Sequence, residues 1–581
     1  MPLYSLPDQR KVALTEALLI MAGLLLFWAL AFYQITLPGI HYDEAVEVVP
    51  AMQILLGQPT EPFRGAGLNL AGRTFPLMVV DYIGALNTYL VIPFFAFFGI
   101  SVFSLRLMSI TIASLTLLLT YRLARKMYNR RVATVAYLLL AVHPSFVFWA
   151  RQGVFVTLIT TCFTLGSLVS LLRWRRQGKD RYLYLTAFLL GLGLYAKFLF
   201  LWFILAAGGA WTILNMDRVL VWLRQAGQGL PRLNIARVAA FTAAFLLGAS
   251  MLILFNIQTS GTVGTILNNL VTSYYGTSNL ALASNLGTRL DHLRVFLNGG
   301  HFWYLGGIYV NDLYLLLFTT FSLIVIGLFV ARRGEEERWA AFPILFVLLL
   351  VLQSCFTVSA LWVTHYAILL PWPQLVVAVA LDLVTRRSPW GKPSLVSGVK
   401  VGGVRARARY LGAGLRLPSW PFAPRTGLAV VALATAVLIG GDLWVDLRYH
   451  QALSRSGGQA AHSAVIYQLA DYLDQKSLVT PVAVDWGIKA NIQFLTHGRV
   501  NPIEIFGYEW ETGRDFRARL APFLDDPDNI YIFHSPEETV FPRRQAFEQA
   551  VSELGKAVVT AKRFFQPDGR TIFLLLQVVD Q

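Results

Sequence analysis

Three carboxylates crowd into five residues of the stretch GIHYDEAVEVVPAMQILLG, which runs from Gly39 to Gly57. Asp43, Glu44 and Glu47 are of the residue type that takes a proton from a hydroxyl, and Asp43 and Glu47 stand one helical turn apart. Ala45, Val48, Val49, Met52 and Leu56 recur at helical spacing on the other face. The pattern predicts an amphipathic helix at a membrane surface, its acids turned away from its apolar stripe. The same residues also read as a plain helix start, with Asp43 as N-cap and the other acids offsetting the helix dipole.

Charged side chains at membrane depth are costly and mark functional positions. Lys197, in GLGLYAKFLFLW, falls near the outer end of an apolar segment, where it can meet an anionic head group or snorkel to the interface. Arg151, in FWARQG, stands beside Trp149 as an interface anchor or a phosphate ligand. His365 and Tyr366 open VTHYAILLPWP, a span broken by Pro371 and Pro373, whose freed backbone groups can line a cavity. Lys197, Arg151 and His365 together would make a cationic rim on the side of the acidic helix.

These residues need a membrane scaffold, and the composition supplies one. Of 581 residues, 56% are hydrophobic and 14% charged, with a mean hydropathy of +0.55, too apolar for a soluble enzyme. Cys162 and Cys355 both lie inside apolar segments, so no disulfide framework is indicated. The net charge of +16 is not a nucleic-acid signal. From residue 450 onward 13 Lys and Arg face 16 Asp and Glu, so the basic excess lies wholly among the apolar segments, where it reports topology.

A first span covers about 13 to 35, too long for a signal-peptide core and without a cleavage site. An external loop, 36–100, carries the acidic helix and ends in an apolar stretch, Asp81 to Phe98, that reads as interfacial or re-entrant. Spans follow near 102–125, 131–150, 153–173, 182–198, 199–216 and 238–256. After an external segment, 258–311, come spans near 312–331, 340–359, 361–385 and 427–447. The basic loops RLARKMYNRR, RWRRQGKDR and DRVLVWLRQAGQGLPRLNIAR share a side with the N-terminus, which makes that side cytoplasmic. The linker from Arg386 to Arg425 carries nine bases and no acid, as a stop-transfer linker or an anionic-lipid contact. Residues 1–449 form the membrane domain. Residues 450–581 alternate helices and strands, which predicts an extracytoplasmic α/β domain with a mainly parallel sheet and an antiparallel end hairpin. No Gly-rich phosphate loop follows any of its strands.

The order of an apolar span, an external DEA helix ending in Gly, a Pro-rich loop, YIGALNTYLVIPFFAFFGISVFSLRLMS and a later GLGLYAKF resembles the GT-C membrane glycosyltransferases. Within them it is most similar to the protein O-mannosyltransferase and lipid A aminoarabinose transferase group, over roughly residues 13 to 385. The resemblance implies a polytopic α-helical membrane protein of about 11 transmembrane helices with a C-terminal extracytoplasmic α/β domain. It also implies inverting transfer of a sugar, mannose or a related one, from a polyprenyl-phosphate carrier to a hydroxyl of a protein, lipid or glycan acceptor, in the plasma membrane of a bacterium or archaeon. On this reading Asp43 is the general base and Glu44 the adjacent acid of the motif, with Glu47 an alternate. Lys197, and with it His365 and the stretch beginning at Tyr366, would bind the carrier phosphate.

The chain departs from the family at one point. The stretch ARQGVFVTLITT lacks the second acid that many relatives carry, so either Asp81 substitutes or this branch does without it. A divalent metal remains compatible with the family, yet no His, Cys and carboxylate cluster has metal-ligand spacing. In the 258–311 segment Tyr274, Tyr275, His301, Trp303 and Tyr304 would gate the lipid, stack on sugar, or form an aromatic interface belt. A lipid or polysaccharide transporter, or an assembly subunit without activity, is the alternative. Transporters show internal repeats and mid-membrane charges, whereas this chain has no clear repeat and its polar residues crowd one face.

Overall fold

The computed structural model describes residues 9–226, 234–332, 334–385, 424–510 and 514–580. An α-helix rises 1.5 Å per residue, so about 20 apolar residues cross a hydrocarbon core. Four helices meet that requirement alone: α1 (Gln9–Phe32), α4 (Val102–Met127), α15 (Asp312–Arg332) and α18 (Pro424–Ser456). Four more passages are bent. The pair α5 (Arg130–Ala141) and α6 (Pro144–Arg151) turns by 58° at Pro144, whose ring and missing N–H break the helical ladder. The pair α9 (Phe200–Leu214) and α10 (Met216–Ala226) turns by 82°, and α11 (Ile235–Gly248) and α12 (Ser250–Thr259) by 65°. A 3-10 turn, Val363–Leu369, meets α17 (Trp372–Thr385) at 48°, at the prolines that the sequence marked. The helices α7 (Ile159–Gln177), α8 (Asp180–Ala196) and α16 (Glu335–Gln353) stand where the sequence places further spans, beside the four to eight that length and composition mark among the described residues. The chain is a multi-pass membrane protein.

Small residues let these helices approach. Gly191 of α8 faces the Phe245 carbonyl of α11, and Gly248 faces the Phe188 carbonyl in return; a methyl group at either would overlap the opposing backbone.

The 36–100 segment holds more structure than a loop. It contains α2 (Tyr42–Leu56), the antiparallel hairpins β1–β2 (Gly67–Leu70, Arg73–Pro76) and β3–β4 (Met78–Val80, Ile83–Gly84), and the short apolar helix α3 (Leu86–Phe98). Likewise the 258–311 segment folds into α13 (Gly261–Asn268) and α14 (Leu282–Asn298). The linker from Arg386 to Arg425 lies almost wholly outside the described residues.

Beyond α18, which runs past residue 449 where the sequence places the domain boundary, comes α19 (Val465–Gln475). The domain continues through β5 (Val482–Ala483), α20 (Lys489–Leu495), β6 (Ile503–Glu504), α21 (Arg514–Leu520), β7 (Tyr531–His534), α22 (Arg544–Glu553), β8 (Lys556–Phe565) and β9 (Thr571–Asp580). The sheet order is β6-β5-β7-β9-β8, parallel across β6, β5 and β7 and antiparallel across β7, β9 and β8. The sheet is therefore mixed rather than mainly parallel. β9 follows β8 through a tight turn and inserts beside β7, which extends the antiparallel half by one pairing.

This domain is not hung on a tether. Its Ile466, Leu469, Ile492 and Phe494 share one buried apolar cluster with Ala45, Val48 and Met52 of α2, Val91 and Phe95 of α3, and Leu105 of α4. Beneath α2 lies a buried ion pair. Arg106 of α4 donates from Nη2 to Glu44 Oε2 at 3.2 Å and from Nη1 to the carbonyls of Ile35 and Pro38 at 2.8 and 2.9 Å. Removing one member leaves the other charge buried, so Arg106→Ala is expected to cost about 3–5 kcal/mol of stability. Thermal unfolding in detergent measures this, and the double variant Arg106→Met with Glu44→Leu should lie closer to wild type than either charge deletion.

Candidate functional site

The start of α2 separates its two adjacent acids. His41 is the N-cap: its Nδ1 accepts from the Asp43 amide at 3.1 Å, while its own amide donates to Glu44 Oε2 at 3.1 Å, closing a capping box. Glu44, at the third helical position, therefore turns inward and is fully buried. It also accepts from Gln152 Nε2 at 3.2 Å, so its oxygens are taken up by Arg106, the cap and Gln152. Asp43 turns outward, and its side chain is 52% exposed. Burial lowers the pKa of His41 against the pull of both acids, which keeps its ring neutral.

Glu47, one turn further, is buried and accepts from Asn87 Nδ2 at 2.7 Å. Burial raises its pKa to about 8, against the opposing influence of Asn87 and Lys197, with Asp43 adding to the rise. Asp43 and Glu47 are the acids whose fields reach Lys197. α2 thus presents a solvated carboxylate and a buried, protonated one to the same lysine.

Lys197 caps the C-terminus of α8 and is 6% exposed. The β3–β4 hairpin pins it: the Phe198 amide donates to the Tyr82 carbonyl at 2.9 Å and Lys197 bridges to Ile83. Its side chain lines a cavity of about 220 Å³ together with Tyr82, Trp202, Asn269, Asn279 and His365. Behind His365 lies Arg289 of α14, which is fully buried. Arg289 Nη2 lies 3.5 Å from His365 Nδ1, and its Nε and Nη1 donate to the carbonyls of Ser354 and Trp362 at 2.9 and 3.0 Å. A donor at Nδ1 leaves the ring proton of His365 on Nε2. Tyr366 is buried and donates to the Arg289 carbonyl at 3.0 Å, so it supports the arginine from below.

Lys197 and His365 thereby line one cavity, with Glu47 and Asp43 near enough to act on Lys197 electrostatically. The other candidates lie elsewhere. Arg151 is fully buried and does not line the cavity; its Nη2 donates to the carbonyls of Gln34 and Leu37, so the cationic rim forms without it. Asp81 accepts from Arg64 Nε and Nη2 at 2.6 and 2.8 Å and from Thr265 Oγ1 at 2.6 Å, which ties the first loop to α13. Tyr304 stacks on His462 at 3.9 Å and donates to Gln152 Oε1 at 3.1 Å. His301 is enclosed by Trp149 and Phe302. These residues build the frame under α2.

Arg289 is the residue that the sequence reading passed over. Its signal is that it sits on the apolar stripe of Leu286, Leu293 and Phe296, where a charge needs a reason. Among the described residues no group of three or more His, Cys, Asp or Glu side chains converges as a metal site.

Residues 86–228 match the family model of the dolichyl-phosphate-mannose-protein mannosyltransferases. A search of curated proteins by sequence returns no match. Among solved structures, the chain is similar to ArnT from Cupriavidus metallidurans in the apo state, with a TM-score of 0.57 and 10% identity over 96% of this chain and 97% of that one. It is similar to the same protein bound to undecaprenyl phosphate, with a TM-score of 0.55 and 10% identity over the same shares. A weaker likeness, with a TM-score of 0.49 and 13% identity over 96% of this chain and 73% of that one, is to the Archaeoglobus fulgidus oligosaccharyltransferase tethered to an acceptor peptide. The helical bundle, the first loop carrying α2 and the mixed-sheet domain packed against it make the fold of this chain similar to that of the two ArnT structures.

Proposed function

We propose that the protein is an inverting glycosyltransferase that moves a sugar from a polyprenyl-phosphate carrier to an acceptor hydroxyl on the extracytoplasmic face, with the N-terminus cytoplasmic. The observation that carries this reading is a buried lysine, Lys197, lining an amphiphilic cavity with His365, while the solvent-facing carboxylate Asp43 lies within its electrostatic reach. The likeness to ArnT, seen with undecaprenyl phosphate, and the matched mannosyltransferase model support it. The sugar is mannose or a related hexose on the strength of that model alone.

In the proposed reaction Asp43 takes the proton of the acceptor hydroxyl as its oxygen attacks the anomeric carbon from the side away from the phosphate. The bond from that carbon to the phosphate oxygen breaks, and the electron pair leaves with the polyprenyl phosphate. Lys197 and the His365 Nε2–H meet the charge that develops there, with Arg289 adding its field from behind. These donors are preorganised, Lys197 by the hairpin and His365 by Arg289, so little rearrangement accompanies charge development. Glu44 acts through position: by filling its hydrogen bonds inward it keeps Asp43 facing out.

Transfer from a panel of polyprenyl-phosphate sugars by the purified protein in detergent tests the proposal. Removal of a positioned general base costs roughly 10²–10⁴-fold in rate, so Asp43→Asn should lose that much turnover while still binding carrier. Lys197→Met should instead weaken carrier-phosphate affinity by about 1.5–3 kcal/mol, the worth of a hydrogen bond to a charged group. No transfer by wild type from any donor, with carrier lipid bound, would leave a carrier-binding subunit.

Glu47 supplies a test that needs no substrate. The unfolded chain loses this proton near the ordinary value of 4.5, whereas the folded protein keeps it to about 8. The folded state therefore binds more protons across that window, and stability falls as pH rises through it, with a slope approaching ~1.4 kcal/mol per pH unit. Glu47→Gln should flatten the fall, matching wild type at low pH and exceeding it at pH values above the folded pKa in thermal-unfolding scans.

A further inference from the structure

Four large rings from three separate segments meet beside this site. Tyr274 and Tyr275, from the turn after α13, pack edge to face at 5.1 Å. Tyr275 lies 6.2 Å from Trp362, just ahead of the kinked span, and 6.1 Å from Trp510 of the C-terminal domain. Trp510 is backed by Phe541 at 4.9 Å. Every one of the four keeps between 44% and 52% of its surface exposed. Edge and tilted contacts hold the group together and leave ring faces open. A contiguous exposed apolar patch rimmed by polar groups marks an interaction site.

Its position says which site. The turn bearing Tyr274 and Tyr275 is closed by Asn279, whose Nδ2 donates to the carbonyls of Asn269 and Leu270 at 3.1 Å, and all three of these residues line the cavity, as does His365 just beyond Trp362. The rings thus continue the proposed donor cavity onto the C-terminal domain. We infer that this platform binds the acceptor, and that the acceptor is a saccharide.

The inference rests on the transferase reading for the word acceptor. The chemistry selects a neutral, polyhydroxylated ligand. A pyranose ring lays its C–H face on an aromatic face, and its hydroxyls find partners in tyrosine hydroxyls and a carboxylate. An anionic acceptor would meet Asp43 and Glu504, the latter held at 3.2 Å by Tyr42.

The test uses the full chain in lipid nanodiscs, with mannopentaose and a short serine-threonine peptide as probes read by saturation-transfer NMR, and polyprenyl phosphate binding measured in parallel. Mannopentaose should bind saturably, and Trp510→Ala and Tyr275→Ala should each weaken it roughly tenfold, about 1.4 kcal/mol. Trp510→Phe should restore most of it, and carrier-phosphate affinity should stay unchanged in all three. Absence of saccharide binding, or binding indifferent to both alanine variants, overturns the inference. So does peptide binding that is lost in Trp510→Ala, which would make the acceptor a protein. Saccharide bound at the platform by a protein that transfers nothing would overturn the transferase reading while leaving the ligand class standing.

Discussion

A buried charge pair holds the functional face in place. Glu44 and Arg106 lie in the interior between α2 and α4, where an unpaired charge is expensive. Their cost is offset because almost every polar atom of the pair is hydrogen-bonded. Arg106 spans Glu44 and the carbonyls of the turn that enters α2, and Glu44 also receives the helix cap and Gln152. One consequence follows in sequence, where the neighbouring acid is left no inward partner. The exposure of Asp43 is the complement of the burial of Glu44, and the DE pair works as a unit of one buried anchor and one solvent-facing acid.

The cavity side is organised by the opposite principle, unbalanced burial. Lys197 and Glu47 lie in a low-dielectric region without a direct ion pair to each other among the described contacts. Burial raises the pKa of Glu47 to about 8, and Glu47, ahead of Asp43, is the acid that acts on Lys197. Arg289, held by backbone carbonyls rather than by acids, adds a second buried cation behind His365.

Much of this was legible in the sequence, and the parts that were not share a cause. The spans were readable because lipid imposes a length and a composition on each one, and three of the four bent pairs carry a proline or small residues at their breaks. α2 was readable from its period and its acids. What stayed hidden depends on contacts between segments far apart in the chain. The division of labour between Asp43 and Glu44 requires Arg106, 62 positions on from Glu44. The place of Asp81 in a clamp requires Arg64 and Thr265. Arg151 looks like Lys197 in sequence, each a lone base at the end of an apolar run. Only packing shows that one meets backbone carbonyls and the other a cavity. The hairpins of the first loop escaped notice because their strands are two to four residues long, too short for alternation to show.

The packing of α2 against the C-terminal domain also bears on how the protein comes to exist. Asn491 donates to the Ile40 carbonyl across 451 positions of chain, and the apolar face of α2 is completed by residues beyond 465. A ribosome delivers those residues long after α2. Until they arrive, α2 has half its seat, and contacts of such sequence separation form late because loop closure must precede them. The membrane bundle can assemble span by span as it is synthesised, but the seat of α2 is complete only once the 465–580 domain has been made and has docked against it. A nascent chain thus carries the acids of α2 on an incompletely packed helix until that domain arrives.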